Sequence, residues 1–134
     1  MTALVAITTV LVLLFYFYTG LTVGRMRGKH DVKPPAMTGH PEFERAVRVQ
    51  SNTLEWLVIF LPAMWLFAAY VNPTVAAALG LVWIVGRYLY MQGYLKEPAA
   101  RRNGFIVQAL ATAIALFGGL IGAVVSLLTG GAGS

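Results

Sequence analysis

The chain has 134 residues, of which 58% are hydrophobic and only 11% are charged, and its formal net charge is +5. A soluble domain of this size could not bury so much apolar surface, so the composition excludes a soluble globular protein and predicts an all-α integral membrane protein. The sequence contains no cysteine, which excludes disulfides, thiolate metal ligands and a thiol nucleophile supplied by the protein.

Apolar runs of about 20 residues predict a bundle of four transmembrane helices in a single domain over residues 1–134. The helices are expected at about Leu4–Val23, Phe43–Tyr70, Pro73–Tyr94 and Phe105–Leu128. The third has a clear start, because Asn72 can cap it and Pro73 suits a first-turn position, where no backbone N–H is needed.

The second span carries a polar stripe within its apolar sequence. Arg45, Arg48, Asn52 and Glu55 follow one another at intervals of 3, 4 and 3 residues. At roughly 100° per residue, the four side chains project within about 80° of one another on one helix face. Charges at membrane depth normally face a bundle interior or a wet cavity, so this stripe indicates a functional site.

A second polar stripe ends the third span, where Arg87, Tyr90 and Tyr94 share one face. Tyrosines at this depth also fit the role of interface anchors. Because Glu55 is an acidic residue in a comparably apolar setting, a structural Glu55–Arg87 ion pair is an alternative explanation for both stripes. That pair leaves the remaining cations uncompensated, which favours an anionic ligand.

The other basic residues cluster in two connections, residues 25–33 and residues 96–102. By the positive-inside rule, both connections face the cytoplasm and both termini lie on the other side. The net charge therefore reflects topology and attraction to anionic membrane lipids, and we do not expect nucleic-acid binding. His30 and His40 lack metal-binding spacing, so no metal site is expected.

Two long segments, PEFERAVRVQSNTLEW and GLVWIVGRYLYMQGYLKEPAARRNGF, carry the patterns ERxxRxQxNxxE and GRxxYxxGY. In these segments the chain resembles the membrane-associated eicosanoid and glutathione metabolism family, and within it the microsomal glutathione transferase and leukotriene C4 synthase branch. The resemblance implies a homotrimer of four-helix protomers that binds glutathione between neighbouring subunits, on the cytoplasmic side of the membrane.

The resemblance also implies roles for individual residues. Arg101 matches the arginine that activates the glutathione thiol, with the adjacent Arg102 left open as the alternative. Gln50, which points about 160° away from Arg48, would serve the site of the adjacent subunit. The family's next basic position is Gly28 here, and Trp56 stands where relatives often have tyrosine, which leaves the second substrate open. The implied glutathione-binding residues are Arg27, Arg48, Gln50, Asn52, Glu55, Arg87, Tyr90 and Tyr94.

The sequence thus predicts a membrane-bound glutathione transferase acting on lipophilic electrophiles, with glutathione as co-substrate and with reduction of lipid hydroperoxides as a further activity. A non-catalytic lipid-binding scaffold of the same family is the alternative, although Arg101 and the complete RxQxNxxE set argue against it. A small multidrug exporter would need a carboxylate in its first helix, and Leu4–Val23 has none. Helices rich in Ala, Val and Gly favour a bacterial inner membrane.

Overall fold

The computed structural model describes residues 2–130. Within them, the regular secondary structure is entirely helical, as the sequence predicts. The four long helices are α1 (Thr2–His30), α2 (Pro41–Tyr70), α3 (Pro73–Lys96) and α4 (Arg102–Thr129), and a short 3₁₀ helix (Pro98–Arg101) joins α3 to α4. Each long helix is long and apolar enough to cross a membrane. The expected bundle of four spanning helices is confirmed.

Successive helices run antiparallel. The Trp65 indole of α2 donates to the Thr9 hydroxyl of α1 over 2.9 Å, while at the other end of the same pair Lys29 lies 3.0 Å from Glu42. The connections are therefore at alternating ends of the bundle. The connection between α1 and α2 lies at the same end as the 3₁₀ helix.

Helix α1 is longer than predicted, because it continues past Val23 to His30. The predicted end of α1 was placed where the apolar run stops. A change from apolar to polar residues marks the edge of the hydrocarbon layer, but it does not break a hydrogen-bonded helix. Twenty-nine residues span about 44 Å at 1.5 Å per residue, against about 30 Å of hydrocarbon. The basic residues of the last turn also interact favourably with the negative end of the helix dipole.

The start of α2 is held against the end of α1 by one carboxylate. Glu42 accepts from Lys29 Nζ at 3.0 Å and lies 2.7 Å from His30 Nε2. The ring of His40 caps α2, since its Nδ1 accepts from the Glu42 backbone N–H. The start of α3 agrees with the sequence: Asn72 Oδ1 accepts from Val75 N at 2.9 Å, and Pro73 occupies the first turn.

Helices α3 and α4 pack backbone to backbone through glycines. A Cβ placed on Gly86 would lie 2.7 Å from Gln108 N and 3.0 Å from Gly104 O. Small residues at such positions let two membrane helices approach closely. This contact fixes the start of α4, and with it Arg101 and Arg102, against the polar end of α3.

The fold yields a prediction about topology. Thr2 is exposed at the start of α1, and Lys33 is exposed in the connection between α1 and α2. Because the chain has no cysteine of its own, single cysteines at Thr2 and Lys33 should react with an impermeant maleimide from opposite faces of intact vesicles, Lys33 from the cytoplasmic face. Labelling of both from the same face would contradict the predicted orientation. Met1 and Ser134 themselves lie outside the described residues.

Candidate functional site

A cavity of about 590 Å³ opens at the polar end of the bundle, where α2, α3 and the start of α4 meet. Its volume falls in the range of about 300–1,000 Å³ that is typical of small-molecule sites. Helix α2, helix α3, the 3₁₀ helix and the first turn of α4 all contribute to its wall. The lining residues are Arg48, Asn52, Tyr90, Tyr94, Pro98, Ala99, Arg101, Arg102 and Phe105.

The two predicted stripes form adjacent walls of this cavity. Arg48 and Asn52 lie one turn apart on α2, and Tyr90 and Tyr94 lie one turn apart on α3, with their rings stacked at 5.6 Å between centroids. The first member of the α2 stripe has a structural role instead. Arg45 donates from Nε to the Leu95 carbonyl over 3.1 Å and so satisfies an acceptor at the end of α3.

Glu55 pairs with Arg48 and not with Arg87. Glu55 Oε1 lies 3.5 Å from Arg48 Nη1, and the two side chains are 58% and 51% exposed. The structural Glu55–Arg87 pair considered from the sequence is therefore wrong as a direct ion pair. At 3.5 Å the contact is long for a charge-assisted hydrogen bond, so Arg48 keeps N–H donors free for a ligand.

Arg87 lies behind the cavity wall. Its side chain is fully buried, donating from Nη1 to Asn52 Oδ1 at 2.8 Å and from Nη2 to Thr53 Oγ1 at 2.7 Å. Angular position on α3 groups Arg87 with the two tyrosines but does not reveal its depth. Thr53 is a partner that the sequence reasoning missed, since it lies one residue outside the α2 stripe.

Two arginines from the α3–α4 connection reach the cavity. Arg101 donates from Nη1 to the Pro98 carbonyl at 2.6 Å, and its guanidinium carbon lies 5.6 Å from the centroid of the Tyr94 ring. Arg102, which the sequence left open as a topological charge or as the alternative to Arg101, also lines the cavity. The cavity therefore contains one cation, Arg102, that was not among the predicted site residues.

Arg27 and Gln50 lie apart from this cavity within one protomer. Arg27 donates to the Ala36 carbonyl at 2.7 Å and lies over the Phe43 ring at 4.8 Å. Gln50 projects from the opposite side of α2, as its spacing predicts. It lines a second cavity of about 290 Å³ against α1, together with Leu13, Tyr16, Phe17, Gly20 and Leu21.

The cavity has an apolar side that the sequence reasoning also missed. The Phe105 ring lines it and meets Trp56 edge to face at 5.3 Å and Tyr90 at 6.1 Å between centroids. A signal was present, because Phe105 is the first apolar residue after the Arg101–Arg102 pair. This side could accommodate the apolar part of a ligand.

The charge of the cavity favours an anion. Three guanidinium groups line the cavity, and no carboxylate among the described residues does. Glu55 is connected to the cavity only through its exposed ion pair with Arg48. Guanidinium groups bind carboxylates in bidentate geometry and interact with anionic sulfur. Among residues 2–130, no group of three His, Asp or Glu side chains is placed to hold a metal ion.

The fold and the cavity define an integral membrane protein of four spanning helices, with a cation-lined site at one end of the bundle. The model of the MAPEG family matches residues 5–121. The chain belongs to this family, as the resemblance of its two polar segments indicated.

Individual relatives cover much of the chain. The Synechocystis protein sll1147 is 47% identical over 116 residues, which cover 87% of this chain and 85% of the relative. Human microsomal glutathione S-transferase 2 is 47% identical over 88 residues, covering 66% of this chain and 60% of the relative. Rat leukotriene C4 synthase is 33% identical over 129 residues, covering 96% of this chain and 86% of the relative.

Proposed function

We propose that the protein is a membrane-bound glutathione transferase that binds glutathione in the cavity between α2, α3 and the start of α4. One observation carries the proposal: five of the nine residues predicted for the site, from three separate parts of the chain, line one cavity. They are Arg48, Asn52, Tyr90, Tyr94 and Arg101. The names of two of the relatives, a glutathione S-transferase and leukotriene C4 synthase, support the same class of chemistry.

Glutathione fits the cavity in charge. It carries two carboxylates and one ammonium group, and Arg48 and Arg102 are the cations available for the carboxylates. Glu55, on leaving Arg48, is available for the ammonium group. Asn52 and the two tyrosine hydroxyls supply neutral hydrogen bonds. The family resemblance of the segment around Arg101 implies that this arginine takes the sulfur atom.

The chemical task of the site is to ionise the thiol, because only the thiolate is a useful nucleophile. A free thiol with a pKa of about 8.5 must fall by about two units to be mostly ionised at pH 7, which takes about 2.7 kcal/mol of differential stabilisation. A guanidinium group that donates to the sulfur in a partly desolvated cavity favours the charged form in this way. We assign that role to Arg101.

The thiolate then attacks an electrophilic carbon of a lipophilic substrate. The sulfur–carbon bond forms, and the electron pair of the broken bond leaves with the leaving group or, for an epoxide, stays on its oxygen and takes up a proton. With a lipid hydroperoxide, the thiolate attacks the terminal oxygen and the O–O bond breaks. The products are an alcohol and the sulfenic acid of glutathione, which a second glutathione converts to the disulfide and water. The Phe105 ring, which lines the cavity and packs against Trp56, would receive the substrate's hydrocarbon.

The proposal includes a homotrimer in a bacterial inner membrane, with the cavity facing the cytoplasm. Arg27 and Gln50 lie away from the cavity of their own protomer. In a trimer, they would act in the site of the neighbouring subunit. The exposed apolar surfaces of the four helices would then divide between lipid and subunit contacts.

Turnover by the purified full-length protein tests this function. In detergent or vesicles, it should conjugate glutathione to lipophilic aryl halides or epoxides and should oxidise glutathione with a lipid hydroperoxide. Binding of S-methylglutathione without turnover is the matched control, because this analogue keeps the carboxylates but cannot form a thiolate. Failure to bind either form of glutathione would overturn the proposal. Binding without any turnover would favour the lipid-binding scaffold.

A further inference from the structure

Arg87 is a buried cation with neutral partners. Its side chain is 0% exposed, and its two bonded acceptors are the amide oxygen of Asn52 and the hydroxyl of Thr53. Burying a charge without a carboxylate costs free energy that neutral hydrogen bonds offset only in part. An arginine at this position is therefore poorly explained by stability alone, which points to a role in the adjacent cavity.

The bond from Arg87 fixes the orientation of the Asn52 amide. Asn52 lines the cavity, and its Oδ1 accepts from Arg87 Nη1 at 2.8 Å on the bundle side. A flipped amide would set its NH₂ group against the guanidinium, donor against donor. The NH₂ group is therefore the part of Asn52 that remains for the cavity, so that Asn52 serves a ligand as a hydrogen-bond donor.

Arg87 also contacts a second lining residue. Its guanidinium carbon lies 4.3 Å from the centroid of the Tyr90 ring, which is a favourable cation–π distance. The bond to Thr53 at 2.7 Å holds the guanidinium in place from the α2 side. One buried side chain thus connects the α2 wall and the α3 wall of the cavity.

We infer that Arg87 is a positioning residue for glutathione: it does not touch the ligand but holds Asn52 as a donor and Tyr90 in register against a ligand carboxylate or carbonyl. This inference rests on the proposed function. It replaces the direct contact that the sequence predicted for Arg87. It also implies that Arg87 acts on affinity through Asn52, so the effects of changing the two residues should not add.

A double-mutant cycle on the full-length protein tests the inference, with glutathione affinity measured by calorimetry. Arg87→Met keeps an unbranched apolar stem but removes the guanidinium donors, and Asn52→Ala removes the amide. Each should weaken glutathione binding about tenfold, the value of a hydrogen bond to a charged group. The double variant should lose well under the hundredfold expected of independent sites, because only the part of the Arg87 effect that passes through Tyr90 adds to the loss of Asn52. In turnover, KM should rise while kcat stays within about twofold, because uniform binding is what is lost.

Gln108→Met is the matched control. Gln108 is likewise fully buried, and among residues 2–130 its amide atoms have no hydrogen-bond partner. Any loss of glutathione affinity in Gln108→Met should therefore add to the loss in Asn52→Ala. If Arg87→Met does not fold, Arg87→Lys takes its place in the cycle. Arg87→Lys keeps one donor nitrogen and should bind glutathione more tightly than Asn52→Ala. Additive losses for Arg87 and Asn52 would overturn the inference alone. A wild-type protein that does not bind glutathione would overturn the proposed function and the inference with it.

Discussion

Replacing Arg101 with alanine should slow glutathione conjugation at pH 7 by about eightfold. The side chain lines the cavity, and in the proposed mechanism it stabilises the thiolate. A loss of about 2 kcal/mol of that stabilisation raises the pKa of the bound thiol by about 1.5 units, from about 6.5 to about 8.0, and lowers its ionised fraction at pH 7 from about three quarters to about one tenth. Glutathione should still bind, because Arg48 and Asn52 keep their positions on α2. The measurement is the pH dependence of kcat together with the affinity for glutathione.

The pH profile separates this role from simple binding. Raising the pH should recover much of the activity of Arg101→Ala, because hydroxide then ionises the thiol without help from the protein. Arg102→Ala is the matched comparison, since Arg102 lines the same cavity from the next position. We expect it to raise the KM for glutathione while leaving the thiol pKa unchanged. A defect rescued by high pH in Arg102→Ala but not in Arg101→Ala would exchange the two assignments.

Substituting Gly104 with alanine should destabilise the protein and distort the site together. A Cβ at this position would collide with the backbone nitrogen of Tyr90 and lie 2.6 Å from the Gly86 carbonyl oxygen. Both are backbone atoms of α3, so the two helices must move apart. Overpacking of this kind costs about 1–3 kcal/mol. Because Tyr90 and Arg101 line the cavity from the two sides of this contact, glutathione affinity should fall with the melting temperature.

Gly28→Ala is the control for Gly104→Ala. Its added Cβ would meet nothing within 4 Å, and alanine in place of glycine in a helix favours folding by up to about 1 kcal/mol. The melting temperature should therefore stay the same or rise. An unchanged melting temperature and affinity in Gly104→Ala would show that the close contact of α3 and α4 does not determine the geometry of the cavity.

Most of the fold could be predicted because membrane helices leave strong one-dimensional signals. Apolar runs of bilayer length predicted the four spans, and Asn72 followed by Pro73 predicted the start of α3. The extension of α1 to His30 escaped prediction because hydropathy reports where lipid ends. Helix continuation there depends on backbone hydrogen bonds and on the contacts of Lys29 and His30 with Glu42.

The candidate site was predictable to the extent that helical periodicity determines a shared face. The spacing of Arg48 and Asn52, and of Tyr90 and Tyr94, brought two pairs of lining residues together in advance. Periodicity gives the direction of a side chain but neither its depth nor its partner. It therefore placed Arg87 with the ligand contacts, although the side chain is buried behind Asn52.

The place of Arg102 in the cavity could not be predicted, for a different reason. Near a membrane boundary, a basic residue that only anchors the topology and a basic residue that lines a site look the same in a sequence. Only the turn of the 3₁₀ helix Pro98–Arg101 brings both neighbouring arginines to the cavity. In the proposed trimer, the relation of Arg27 and Gln50 to the site would depend on packing between subunits, which the local pattern of a single chain does not encode.

The ultraviolet absorbance of the thiolate, recorded as glutathione binds to the purified protein, tests the central claim most directly. At pH 7 free glutathione is mostly the uncharged thiol, so any thiolate band that appears on binding reports ionisation by the protein. The account predicts a band that saturates with bound glutathione, that titrates with a pKa well below the free value of about 8.5, and that disappears at neutral pH in Arg101→Ala. Bound glutathione that gives no thiolate band at pH 7, or a band unchanged in Arg101→Ala, would contradict it.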